Sequence, residues 1–259
     1  MTTRESAFAR IFNKIDGFVK FPNLHKGDIG VQVGFDLSSK NLVTDVLKMH
    51  YRTGNQGLVI GIDPDPVNHQ RLKPVIEGRK LNVKLIQTAT HSEKKNGKLV
   101  LGKKASHNIL DEFNNDNSAV LSDDIVEVPM NTLDNIISET GVDYSRIAHI
   151  NITNNGAEYD TLKGMNEIFE KCPDLNLTVI AGRPGKIGEI DGRPDDQVIT
   201  EFLKGKGFKC RFRRINESFW WGFVISLLLK RKWVFGKQDY GIVMASRGAR
   251  KLKWYQSFS

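Results

Sequence analysis

Short apolar runs alternate with helix-patterned stretches along most of the chain. The runs fall at 29–34 (IGVQVG), 57–62 (GLVIGI), 83–88 (VKLIQT), 147–153 (IAHINIT), 175–181 (LNLTVIA), 208–213 and 240–246 (YGIVMAS), and they read as strands. Helical spacing covers about 40–51, 66–77, 132–140, 157–170 and 195–205, with Thr132 placed to cap the third of these. Strands alternating with helices predict an α/β fold on a doubly wound, mostly parallel sheet. Ahead of it, residues 5–20 put Phe8, Ile11, Phe12, Ile15 and Phe18 at helical spacing, which predicts an amphipathic packing helix. The polar stretch 102–124 shows no core pattern of its own and reads as an excursion from the sheet. The expected organisation is a helical extension over 1–26, one Rossmann-like domain over 27–246 and a basic tail over 247–259.

Composition fits that outline. The 259 residues are 39% apolar and 26% charged, enough to bury a sizeable core. Cys172 and Cys210 are the two cysteines, far apart and in no metal spacing. No cluster of His, Asp and Glu has a metal spacing either, so no metal is expected, and a reducing, cytoplasmic location is. The first residues lack the apolar core of a secretory signal.

Charge changes the picture at one end. The net charge is +8, yet residues 204–259 hold fourteen Lys or Arg against two acids. Such a field attracts phosphate, anionic lipid or an acidic glycan, or is a solvated basic face. Within it, Phe219 to Leu229 are interrupted only by Gly222 and Ser226 before Lys230, Arg231 and Lys232. That run is far short of the ~20 apolar residues a membrane span needs. Three readings of 219–233 stay open: a buried element, a subunit contact, or a segment lying on an anionic membrane with Trp220, Trp221 and Trp233 at headgroup level.

In a doubly wound sheet, ligands bind outside the carboxyl ends of the strands. After the first strand (VQVGFDLSS, 31–39), Gly34 permits a sharp turn and a close ligand, with Asp36 and Ser38 beside it. One glycine does not make a dinucleotide loop. After the second (GLVIGIDPDPVNHQRLK, 57–73), Asp63 stands at the strand tip before Pro64, placed to accept ribose hydroxyls, while Asp65 caps the next helix. After the third (QTATHS, 87–92), Thr88 and Ala89 can meet an adenine edge, and His91 follows. An adenosine cofactor without a diphosphate points to S-adenosylmethionine.

These segments, together with VPMNTLDNII and INITNNGAEYDTLKG, resemble the FkbM family of S-adenosylmethionine-dependent methyltransferases over about 28–210. The resemblance implies a class I methyltransferase fold, S-adenosylhomocysteine as product, and methyl transfer to a hydroxyl of a sugar, glycan or lipid-linked saccharide. In the family the first strand ends Asp-x-Gly-Ala-Asn-x-Gly, where this chain has Gln32, Gly34, Phe35, Asp36 and Ser38. The family's fourth strand ends Lys-x-Asp-x-Glu-Gly-Ala-Glu, where this chain has Asn151, Thr153, Asn155, Gly156, Ala157 and Glu158. Three charged groups have become neutral. Asn151 and Thr153 are then expected to position the acceptor, and Asn155 to act with Glu158 or His91, which are left to handle the proton. His149, inside a strand beside Ile150, reads as a core histidine. Two rivals stand beside this reading. One is a nucleic-acid methyltransferase, favoured by the basic segment but lacking the Pro-Pro-aromatic sequence of base amino-group methylation. The other is a non-catalytic cofactor-binding module with a degenerate site.

Overall fold

The computed structural model describes residues 5–35, 37, 42–102, 108–113, 121–182, 188–214 and 240–253. In chain order the elements are α1 (Ala7–Lys20), β1 (Ile29–Val33), α2 (Asp45–Thr53), β2 (Leu58–Ile62), α3 (Pro66–Gly78), β3 (Val83–Ile86), β4 (Ala89–Thr90), β5 (Lys95–Gly102), β6 (Ile109–Leu110) and β7 (Leu121–Asn131). They continue with α4 (Leu133–Ser138), β8 (Ile147–Ile152), α5 (Glu158–Lys163), α6 (Asn166–Lys171), β9 (Asn176–Ala181), β10 (Glu189–Ile190), β11 (Arg193–Pro194), α7 (Asp195–Gly205), β12 (Lys209–Arg214) and β13 (Gly241–Ser246).

The main sheet has the order β12-β13-β9-β8-β1-β2-β3. The five strands from β9 to β3 are parallel, and β13 joins β9 antiparallel with β12 as its hairpin partner. Every residue of β1 and β8 is buried, so these strands are mostly apolar on both faces rather than alternating, with Gln32, His149 and Asn151 as the buried polar exceptions. One sheet face packs on α4 to α7 through Leu133, Leu162, Ile168 and Leu203, and the other on α2 and α3 through Leu47 and Leu72. Strand order reverses between β1 and β8, which makes their carboxyl ends the switch point where a doubly wound sheet binds its ligand.

Three expectations change. The helical stretch 157–170 is two helices, broken at Gly164, where an added Cβ would lie 2.5 Å from the His91 carbonyl oxygen. The stretch 102–124 does leave the main sheet, but its described part is not coreless: β6 and the start of β7 join a second sheet of order β4-β7-β5-β6, where Leu110 packs with Leu99, Val128 and Met130.

The third change concerns α1, which packs with the face opposite to the apolar one. Ala9, Asn13 and Gly17 are buried, whereas Phe8, Ile11, Ile15 and Phe18 are exposed. An added Cβ on Gly17 would fall 2.6 Å from the Lys48 carbonyl oxygen, a crossing that admits only small side chains. Ion pairs Lys48–Asp16 at 2.6 Å and Lys20–Asp45 at 2.5 Å hold that narrow face against α2. The Asp45 carboxyl sits below the usual carboxylate range because both lysines outweigh its burial. Segment 219–233 and residues Asp36 and Ser38 lie outside the described residues.

Candidate active site

The carboxyl end of β1 is pressed against that of β8. Gly34, at φ +69°, would put a Cβ 2.2 Å from the Thr153 carbonyl oxygen, so only glycine fits both the backbone angle and the gap. The Thr153 hydroxyl donates to the Gly34 carbonyl at 2.8 Å, and Gln32 Nε2 donates to Thr153 Oγ1 at 3.1 Å. One strand position deeper, Asn151 Nδ2 donates to Gln32 Oε1 at 2.7 Å and to Asp45 Oδ2 at 3.2 Å. Asn151 is 0% exposed and does not reach the surface of the cleft.

At the tip of β2, Asp63 is also buried and already holds the local backbone. Its Oδ2 accepts from Phe35 N at 2.9 Å, and its Oδ1 accepts from Asp65 N at 2.9 Å and Asn68 Nδ2 at 3.2 Å. A carboxylate offers about four acceptor positions, and the described residues fill three of them. Burial outweighs these hydrogen bonds and pushes the Asp63 carboxyl up to about 7. Asp65 caps α3 through Val67 N at 2.8 Å, as its place before Pro66 foretold.

The turn after β8 is tied down at every residue. Asn155 takes a left-handed φ of +54°, which asparagine tolerates, and Gly156 follows at +115°. Glu158 closes the turn, with Oε1 accepting from Asn154 N at 3.0 Å and Oε2 from Gly156 N at 2.7 Å. It is buried, and burial pushes its carboxyl up to about 7. Asn154 Nδ2 donates to Thr161 Oγ1 at 2.8 Å and to Thr90 Oγ1 at 3.1 Å. Asn155 Nδ2 donates to the Asn108 carbonyl at 2.8 Å, while Asn108 Nδ2 donates to Asp65 Oδ2 at 2.8 Å. Asn108 thus bridges the second sheet to the turns after β2 and β8.

Between these turns lies a cleft of about 200 Å³, lined by Gly34, Asp63, Pro64, Thr88, Ala89, Thr153 and Asn155 among the residues singled out from sequence. Thr90, Asn108 and Asn154 line it too. Asn154 sits inside the quoted β8 motif, whereas Asn108 belongs to the stretch that showed no core pattern. His91 lies one residue beyond Thr90 without lining the cleft. Its Nε2 faces Glu112 Oε1 at 3.1 Å, and its Nδ1 accepts from Glu93 N at 3.3 Å. Glu158 does not line the cleft either. His149 is a core residue, as expected: Nε2 meets Thr178 Oγ1 at 2.9 Å, and burial lowers its pKa to about 3. Among the described residues no three His, Cys, Asp or Glu gather as metal ligands.

Residues 28–210 match the methyltransferase FkbM domain. The chain belongs to the FkbM methyltransferase family. It is an S-adenosylmethionine-dependent methyltransferase, with S-adenosylmethionine as methyl donor. No curated protein matches the chain in sequence. Among solved structures it is similar to SMU.1697c from Streptococcus mutans in complex with SAH, at 11% identity and TM-score 0.47, covering 90% of this chain and 96% of that one. It is also similar to Aeropyrum pernix fibrillarin with natively bound S-adenosyl-L-methionine, at 8% identity and TM-score 0.47, covering 92% and 75%. A third is a SAM-dependent methyltransferase from Aquifex aeolicus, at 10% identity and TM-score 0.42, covering 93% and 96%. Likenesses this distant decide nothing about the acceptor.

The cleft of this FkbM domain fits the cofactor. Asp63 lines it with three of its roughly four acceptor positions filled by described residues, and Asn154 keeps a buried Oδ1 without a hydrogen-bond partner, which a ligand donor would satisfy. Among the described residues no helix is long and apolar enough to cross a membrane.

Proposed function

We propose that the chain methylates a hydroxyl of a neutral saccharide, either a sugar, a glycan or the saccharide part of a lipid-linked one. The observation that supports this is the character of the cleft: Thr90, Asn108, Thr153, Asn154 and Asn155 are neutral hydrogen-bonding groups, and no Lys or Arg stands beside them among the described lining residues. Such a wall suits sugar hydroxyls, and among the described lining residues it offers a phosphate backbone no cation. The acceptor class itself rests on the FkbM resemblance.

The cofactor, when bound, supplies an electrophilic methyl on a sulfonium. Asp63 takes a ribose hydroxyl, and Gly34, held against Thr153, forms part of the wall beside it. Asn155 and the amides beside it orient the acceptor oxygen, and orientation alone supplies a large share of such a rate. Among the described residues Asp63 is the only ionisable side chain lining the cleft. Both His91 nitrogens and both Glu158 oxygens already have protein partners. The reading therefore gives positioning the main role and no side chain that of a dedicated base. The rate should accordingly keep rising with pH above neutrality, without a plateau at a histidine pKa.

The test is transfer of isotopically labelled methyl from S-adenosylmethionine to a panel of oligosaccharides, lipid-linked saccharides, RNA and DNA. A methyl ether on a saccharide supports the proposal. Label only on nucleic acid, or none anywhere despite cofactor binding, would overturn it.

A further inference from the structure

Four of the seven large apolar side chains exposed among the described residues lie on α1: Phe8 at 47%, Ile11 at 61%, Ile15 at 57% and Phe18 at 51%. They follow the helix at successive turns and form one stripe, diametrically opposite the buried Ala9, Asn13 and Gly17. Scattered apolar residues on a surface mean little, but a continuous stripe on one short helix marks a contact. Charge decides which contact. The two acids of residues 5–20 face inward: Glu5 pairs with Arg79, and Asp16 with Lys48. Lys20 is likewise turned to Asp45. Arg10 and Lys14 are exposed beside the stripe, and the Arg52 guanidinium lies 4.0 Å from the centre of the Phe18 ring.

We propose that α1 is an interfacial anchor, whose Phe8, Ile11, Ile15 and Phe18 enter the headgroup boundary of an anionic membrane while Arg10 and Lys14 meet lipid phosphates. Apolar side chains flanked by cations, on a helix lying flat, are the pattern such anchors share. A second copy of the chain fits less well. A two-fold contact through this stripe would bring Arg10 and Lys14 toward their own counterparts, on chains that each carry +8. The helix is well fixed for this purpose, because Asn13 Nδ2 donates to the Leu42 carbonyl at 3.2 Å and the Lys48–Asp16 pair ties it to α2. This surface does not depend on the identity of the acceptor.

The experiment is flotation of the full chain with phosphatidylcholine vesicles, with and without phosphatidylglycerol. Wild type is compared with Phe8→Gln/Ile11→Gln/Ile15→Gln/Phe18→Gln and with Arg10→Gln/Lys14→Gln. Wild type should bind the anionic vesicles at least about tenfold more tightly than the quadruple variant, and the charge variant should lose most of the salt dependence. Melting temperatures should stay within about 2 °C, because every substituted side chain is exposed. Vesicle binding equal to wild type in the quadruple variant would overturn the proposal. So would a large drop in its melting temperature, which would mean that the chain itself covers the stripe. A fall in oligomer mass with vesicle binding unchanged would assign the stripe to a second copy instead.

Discussion

Asn151 Nδ2 donates to Gln32 Oε1 across 2.7 Å inside the sheet, directly opposite each other in the β1–β8 register. The FkbM resemblance implies Asp and Lys at these two places, and here the two positions face each other as a neutral pair. Neutral partners avoid the desolvation of two buried charges. Gln32→Asp alone should leave a carboxylate facing an amide at 1% exposure and cost about 3–5 kcal/mol, read as a fall in unfolding midpoint. Adding Asn151→Lys should recover at least about half of that loss, and the double-mutant cycle measures the coupling. Additive losses would show that the two positions do not exchange as a pair.

Asp63 has a structural task besides the cofactor contact proposed for it. Asp63→Ala would strand the Phe35 and Asp65 N–H groups and the Asn68 amide, at about 1–3 kcal/mol for each donor left unsatisfied. It should lower the melting temperature and weaken S-adenosylmethionine binding about tenfold or more. Since the carboxyl titrates near 7, the ionised acceptor is lost as pH falls through that value. Calorimetry should therefore find tighter cofactor binding at pH 8 than at pH 6, and Asp63→Asn should flatten the difference. A wild-type affinity independent of pH would remove Asp63 from the cofactor site.

Asn108 and Asn155 form a strut between the second sheet and the β8 turn. Asn155→Gly keeps the left-handed turn without strain and deletes only the side-chain tether, whereas Asn108→Ala cuts the link to Asp65. Each should reduce acceptor kcat/KM by about 1–3 kcal/mol of transition-state stabilisation, with cofactor affinity within about threefold of wild type. Equal losses in cofactor affinity would place the strut around the cofactor instead.

Glu158 gives the fold a pH signature. Its carboxyl rises from 4.5 to about 7, so the folded chain holds this proton more tightly than the unfolded one. The stability it contributes is full below the unfolded value and is lost as pH rises through the folded one. The melting temperature should fall between pH 5 and pH 8, and Glu158→Gln should shrink that fall while leaving the share due to Asp63. An undiminished fall in the variant would assign the whole effect to other groups.

The sequence by itself determined the elements of the main sheet and the ends at which chemistry gathers. Strands buried on both faces are apolar at most positions, and a parallel sheet needs helices between them, so β1, β2, β8 and β9 stand out as runs. Gly34, Asp63 and Pro64 were legible because turn chemistry is local. Only the tertiary structure decided what each side chain faces. Gln32 and Asn151 are 119 residues apart, and no local pattern joins them. Glu158 looked like a free carboxylate until the fold turned the N–H groups of Asn154 and Gly156 onto it. The periodicity of α1 fixed which residues share a face, but not which way that face points. That was settled by the crossing at Gly17, too close for any face but the one with small side chains.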